Sequence, residues 1–209
     1  MPGTRNRGRR AGLTRQAVLE AALALADREG LKALSMRRLG AELGVEAMTL
    51  YHHVPGKDAL LDGLVEQLVT RVAPPGFGAA DWRAGLRAYA CDLLAALLAH
   101  PALIPVVTTR PAVTPANLRV METALGFLCR AGFSPGRALD ILYAVVGFVV
   151  GHAATYASAA EHGQERMLGG LDPEEYPLLS RAAAAGHGPE SRFEFALDAM
   201  LSGFAPDEA

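Results

Sequence analysis

Apolar positions recur along this chain every three or four residues, and almost nothing alternates at period two, so the pattern reads as helix after helix. Val18, Ala21, Ala22 and Leu25 make the first stripe. Thr14 stands ahead of it as an N-cap, with Leu13 and Val18 placed for a hydrophobic staple and Gly30 as a stop. Ser35 repeats the start signal, with Leu34 and Leu39 as its staple pair, and this short helix ends at Gly44. A third segment, Glu46 to His53, follows at once and is ended by Pro55-Gly56. A stripe from Leu60 to Val72 runs into Pro74-Pro75-Gly76, and Asp81 to Ala99 carries Leu86, Tyr89, Leu93, Leu94 and Leu97. A short Pro- and Val-rich element fills 101–111. Thr114-Pro115 opens a helix to Ala131, and Ser134-Pro135 opens a long one to about Ser158. Residues 159–172 read as a loop, Asp172-Pro173-Glu174-Glu175 as a capping box before a shorter helix, and Pro189 to Phe204 as the last helix. The expected fold is all-α, with about nine or ten helices.

The second and third segments, Ser35–Leu43 and Glu46–His53 around the turn Gly44-Val45, have helix-turn-helix spacing. A short helix held at a corner can enter the major groove of DNA and bring its first side chains to base edges. Val45 and Leu50 are assigned to the core of that pair. A formal net charge of -2 argues against such a role until its distribution is seen. Residues 1–57 hold 10 Lys/Arg against 5 Asp/Glu, and residues 58–209 hold 10 against 17, so a +5 head sits on a -7 body. The head supplies phosphate attraction, and Arg5, Arg7, Arg9 and Arg10 form a basic arm ahead of the first helix. The 209 residues are 51% hydrophobic, enough for a packed core. Cys91 and Cys129 give neither a disulfide framework nor a zinc pattern. No apolar run follows the N-terminal arginines, and the longest nearly uncharged apolar stretch, 141–151, is too short for a bilayer. A cytoplasmic location is expected.

The stretch GLKALSMRRLGAELGVEAMTLYHHVPGKDALLDGLV closely resembles the DNA-binding domain of the TetR (tetracycline repressor) family, over residues 13–68. Leu39, Leu43-Gly44-Val45, Thr49-Leu50-Tyr51 and Lys57 are its most specific parts. The resemblance implies that Arg37 contacts a phosphate or a guanine edge. It also implies that Ala47, Met48 and Thr49 face bases, that Tyr51 and His52 touch the DNA backbone with His53 in the same DNA-binding set, and that Lys57 holds a phosphate. Tyr51 has an alternative as a buried structural ring, and His53 as a packing residue. Ala47 and Met48 depart from the polar glutamine-proline pair of the tetracycline-repressor class, and neither makes a bidentate base contact, so the operator sequence does not carry over. The implied organisation is an arm (1–12), a three-helix DNA-binding domain (13–56) and a larger helical ligand-binding and dimerisation domain (57–209).

TTRP, LGFLCRAGFS and AVVGFVVGH resemble the C-terminal domain of the tetracycline-repressor class, over about residues 82–204. Segments 135–158 and 189–204 match the helices that pair in its dimer, which implies a homodimer. Gly147 and Gly151 suit close helix approach, between chains or within one. The class's magnesium-binding histidine falls on Val106, its interface glutamate on Thr155 and its drug-gripping asparagine on Tyr89. Neither valine nor tyrosine is a credible magnesium ligand, so no magnesium-tetracycline binding, no metal and no cofactor are expected. What the resemblance leaves is an apolar lining for a small, largely apolar effector: Tyr89, Leu93, Leu97, Val106, Thr109, Arg110, Leu125, Leu128, Phe148 and His152. Each also suits a filled core. His152 is the polar group most suited to orient a ligand.

Two other classes compete. Gly132-Phe133-Ser134-Pro135-Gly136 fits G-x-S-x-G, but a nucleophile elbow needs a strand before it, and Pro135 removes an N–H that an oxyanion hole would use. No enzyme is expected. His152, Glu161 and His162 lack tight metal-ligand spacing. A helical dimerisation scaffold that binds no DNA remains the alternative to a repressor released from a pseudo-palindrome by its effector.

Overall fold

A computed structural model of the chain describes residues 13–72, 81–110, 113–162, 170–185 and 188–207. The basic arm and Pro111 lie outside these residues. The described residues hold ten α-helices: α1 (Arg15–Glu29), α2 (Met36–Leu43), α3 (Ala47–Leu50), α4 (Lys57–Arg71), α5 (Trp82–Ala99), α6 (Ile104–Thr109), α7 (Pro115–Arg130), α8 (Pro135–His162), α9 (Pro177–Ala184) and α10 (Pro189–Gly203), with a 3-10 turn at Pro101–Leu103. There is no strand among them. They fall into two compact units, one from Met1–Arg71 with Ala99–Leu118, the other from Val72–Leu98 with Arg119–Ala209. The first unit therefore extends beyond 13–56 to take in α4 and α6.

Several start signals form as read. The Thr14 hydroxyl accepts from the Ala17 N–H at 3.1 Å and the Ser35 hydroxyl from the Arg38 N–H at 3.2 Å. Leu19, Leu25, Leu34, Leu39 and Leu50 are fully buried and make the core of the three-helix head, closed on its other side by Leu60 and Leu64 of α4. Gly63 lets α4 come down on α1, since a Cβ there would stand 2.6 Å from Leu19 Cδ2. Arg15 bridges the same two helices to Glu66 at 3.0 Å. Asp27 of α1 takes His100 Nδ1 at 2.8 Å, which ties α1 to the start of the 3-10 turn.

In the second unit α8 buries Ala138, Ile141, Leu142, Val145, Val149 and Ala153, one stripe at helical spacing. Its first turn is fixed from the far end of the chain. Asp207 Oδ2 accepts from the Ser134 N–H at 2.6 Å, and these bonds to Ser134 hold the carboxyl below its usual range. Arg83 lies 4.3 Å from the Trp82 ring and donates to the carbonyls of Leu201 and Phe204. Trp82 in turn meets Phe133 edge-on at 4.9 Å.

Three expectations need correction. The third helix is shorter than Glu46–His53: it spans Ala47–Leu50 and continues as a turn whose His53 and Val54 N–H groups both return to the Leu50 carbonyl. Asp172 accepts from the Glu174 N–H at 2.9 Å and so caps a turn, while α9 begins at Pro177 with no side-chain cap. The apolar run is also longer than 141–151. Arg137 and Asp140 do not interrupt it, and Pro135–Ser158 is long and apolar enough to cross a membrane by length and composition. About a third of that stretch, 33%, is buried within the chain.

Candidate nucleic-acid interface and effector residues

The α2–α3 corner is built by backbone hydrogen bonds. Gly44 turns left-handed at φ 66°, its N–H donates to the Ala41 carbonyl, and the Val45 N–H donates to the Gly40 carbonyl at 2.9 Å. This is a Schellman ending, which needs glycine at the left-handed position. It folds the chain back so far that a Cβ on Gly40 would sit 2.8 Å from the Val45 carbonyl oxygen and 3.2 Å from the Ala47 nitrogen. Gly40 is therefore as necessary to the corner as Gly44, and a glycine inside a helical pattern was the available signal. Val45 is half-buried rather than in the core, while Leu50 and Val54 are buried and anchor α3.

What α3 and its flanks leave outside is the expected set. Met48 is 70% exposed and Tyr51 44%. His52, Lys57 and Arg37 are exposed, and Ala47, Thr49 and His53 are half-buried. The exposure of Tyr51 opposes the buried-ring alternative. The adjacent arginines of α2 do different work. Arg38 pairs with Glu29 at 2.7 Å and lies beside Glu42, and Arg28 joins the same carboxylates, so four side chains brace α1 on α2. That pairing draws the Glu29 carboxyl below its usual range. Arg37 makes no ion pair among the described residues.

The residues expected to line an effector site divide between the units. Val106, Thr109 and Arg110 belong to the first. Val106 is buried. The Thr109 hydroxyl donates back to the Pro105 carbonyl at 2.7 Å. Arg110 holds α4: it donates to Asp62 at 2.8 Å, to the Asp58 carboxylate and to the Asp58 carbonyl at 3.2 Å. Its guanidinium is engaged by two carboxylates of one helix, a partnership that the sequence pattern did not reveal. In the second unit Tyr89, Leu93, Leu97 and Leu128 are buried, and burial pushes the Tyr89 hydroxyl up to about 12. Leu125, Phe148 and His152 are half-buried. Phe148 stacks on Phe193 at 5.2 Å, and His152 stands 5.0 Å from the same ring. Burial lowers the His152 pKa. No cluster of metal-ligating side chains occurs among the described residues.

The remaining lure for an enzyme has a structural explanation. Helix α7 precedes the G-x-S-x-G stretch, and Ser134 sits at the start of α8 in the grip of Asp207.

Comparison with known proteins agrees with this geometry. Residues 18–64 match the family described as bacterial regulatory proteins, tetR family, and residues 74–206 match the tetracyclin repressor-like C-terminal domain. The chain is 37% identical over 190 residues to the HTH-type transcriptional repressor DrrR1 of Streptomyces coeruleorubidus, covering 88% of this chain and 69% of that protein. It is 34% identical over 199 residues to the tetracycline repressor protein class C of Escherichia coli, covering 91% and 90%. Apo ActR from Streptomyces coelicolor superposes with a TM-score of 0.78 at 28% identity, covering 91% and 94%. The first two are named as repressors. The chain belongs to the TetR family of bacterial regulatory proteins, with a tetracycline-repressor-like C-terminal domain.

Proposed function

We propose that the chain is a cytoplasmic homodimeric repressor that reads a pseudo-palindromic operator and is released by a small, largely apolar effector. The observation that carries the DNA half is the α2–α3 corner, where a rigid backbone turn presents Met48, Tyr51 and His52 outward beside Arg37, which makes no ion pair among the described residues. Met48 and Ala47 suit apolar contact with thymine methyls, Arg37 and Lys57 suit phosphates, and Thr49 and His53 border the same surface.

The dimer half rests on what α8 and α10 leave uncovered. Tyr143 is 60% exposed and Phe195 77%, and added Cβ atoms at Gly147 and Gly151 would meet nothing within 4 Å. Intramolecular packing therefore does not explain these glycines, and a second copy would. Two heads must lie about one DNA turn, roughly 34 Å, apart to enter successive major grooves.

For the effector half, relatives supply the precedent. ActR of Streptomyces coelicolor is known in complex with actinorhodin, and a TetR variant from Acinetobacter baumannii in complex with minocycline. The loss of the magnesium-binding histidine at Val106 favours an aromatic, polyketide-like ligand bound without metal. Arg110 links α6 to the start of α4, beside Lys57, and this strut is the route by which effector binding changes head spacing.

Selection of bound duplexes from a randomised pool at two salt concentrations tests the reading. Enrichment of a palindrome whose affinity falls with salt is expected. Sequence-blind binding would favour a scaffold with a basic patch.

A further inference from the structure

Among the described residues the buried polar side chains are two neutral amides, Gln67 at 7% exposure and Asn117 at 1%. Both belong to the first unit. All four of their terminal atoms, Gln67 Oε1 and Nε2 and Asn117 Oδ1 and Nδ2, are buried without a hydrogen-bond partner. Buried polar atoms are nearly always paired, because water's bonds are lost on burial and must be replaced. Two amides that break this rule in one unit ask for a function.

Their sequence settings sharpen the point. Gln67 lies on the same stripe of α4 as Leu60, Leu64 and Leu68, all buried. Leucine at 67 would continue that stripe and leave nothing unmet. Asn117 lies in the first turn of α7. Its backbone N–H is taken by the Thr114 hydroxyl at 3.3 Å, so the cap is complete without the side chain. Neither amide serves its own helix. Stability alone selects against both, and local rules are broken in this way where a ligand completes them.

We propose that Gln67 and Asn117 read the polar substituents of the effector, and that the effector is neutral, with hydroxyl or carbonyl groups on an apolar ring body. This rests on the effector-released repressor reading above. An amide offers both a donor and an acceptor, so hydroxyl and carbonyl groups satisfy it. An ionised ligand would need an opposite charge, and no charged side chain is buried among the described residues. Gln67 stands on α4, the helix that begins at Lys57 and is held by Arg110. A ligand bonded to Gln67 therefore acts directly on a helix of the reading head.

The test uses the full chain, its selected operator, the dihydroxyanthraquinone alizarin and alizarin dimethyl ether, in buffer acidic enough to keep the alizarin phenols un-ionised. Operator release is titrated for wild type, Gln67→Met and Asn117→Leu, and each protein's thermal midpoint is measured without probe. Alizarin should release the wild type. Each variant should need at least about tenfold more, while its midpoint holds or rises. The dimethyl ether should be weaker on the wild type, with a smaller penalty on the variants. Equal release of variants and wild type overturns the proposal. So does a variant with a lower midpoint, which would make the amide structural, or a wild type that stays on its operator at saturating alizarin. Failure of the underlying repressor reading is separate, because it appears as the absence of any enriched operator.

Discussion

Gly40 and Gly147 both sit inside helices, and their surroundings are opposite. A Cβ on Gly40 would stand 2.8 Å from a backbone carbonyl of its own chain, whereas one on Gly147 would meet nothing within 4 Å, and the same holds for Gly151. In the head the crowding at Gly40, and likewise at Gly63, comes from atoms of the first unit itself. The α8 face is open at Gly147 and Gly151, as the proposed second copy requires. Exposed Tyr143 and Tyr156 on α8 and Phe195 on α10 point the same way, because large apolar side chains left outside mark a surface meant for contact.

The largest expected effect breaks the open face. Phe195→Asp places a charge where the single chain is already 77% exposed, so the fold should be retained. Self-association should be lost, and operator affinity should fall by about a hundredfold or more, since two linked heads gain from effective concentration. Sedimentation and operator titration check this, and a dimeric, fully active variant would remove the face from the interface. Next comes Gly40→Ala. The new methyl meets backbone that cannot swing aside, so the gain in helix propensity is outweighed, and a net destabilisation of about 2 kcal/mol is expected in denaturant unfolding. Gly147→Ala should do the reverse in the isolated chain, gaining up to about 1 kcal/mol of helix stability while weakening self-association. Equal responses at the two glycines would erase the contrast between closed corner and open face.

A smaller effect separates neighbouring charges within the head. Lys57→Ala and Arg37→Ala should each weaken operator binding severalfold and lower the salt slope by about one, as expected for a phosphate contact. Arg38→Ala should instead act on stability, because Arg38 is committed to Glu29 and Glu42. Operator binding measured over a salt series, beside thermal unfolding, distinguishes the two outcomes.

The head was largely legible from sequence because its signals are local. Thr14, Ser35 and Gly44 act on residues three or four positions away, and each forms the bond its position implies. The outward set at Arg37, Met48, Tyr51, His52 and Lys57 follows from the same register. At Gly40 the only legible sign was a glycine inside a helical pattern; its cause, the fold-back of a turn onto the preceding helix, was not legible. Arg110 was expected near a ligand; its pairing with Asp58 and Asp62, some fifty positions earlier, was not foreseen, because no spacing rule connects them. Gln67 read as one polar interruption in an apolar stripe, and Asn117 as an ordinary first-turn residue. Only burial shows that their amides are unmet. Asp172 misled for the opposite reason, since the capping-box spelling was right and the helix began later.

The smallest effect concerns the second unit, where His152 lies beside the stacked Phe148 and Phe193 rings, at 6.1 Å and 5.0 Å from them. Burial among these groups disfavours the imidazolium and lowers the folded-state pKa below the ordinary value of 6.5. Below that value the unfolded chain takes up a proton more readily than the folded one. The histidine's contribution is thus unpenalised above the unfolded pKa, and stability is lost as pH falls through about 6.5 toward the lower folded value. The thermal midpoint of the wild type should drop between about pH 7.5 and pH 5 by more than that of His152→Phe, which adds a third ring and no titration. Carboxylates such as Glu29 and Asp207, both held low, lose their contributions only in more acidic solution. The difference between the two proteins in this window therefore reports His152 alone. Parallel midpoints would mean that the ring is solvated in both states and that the open face extends as far as His152.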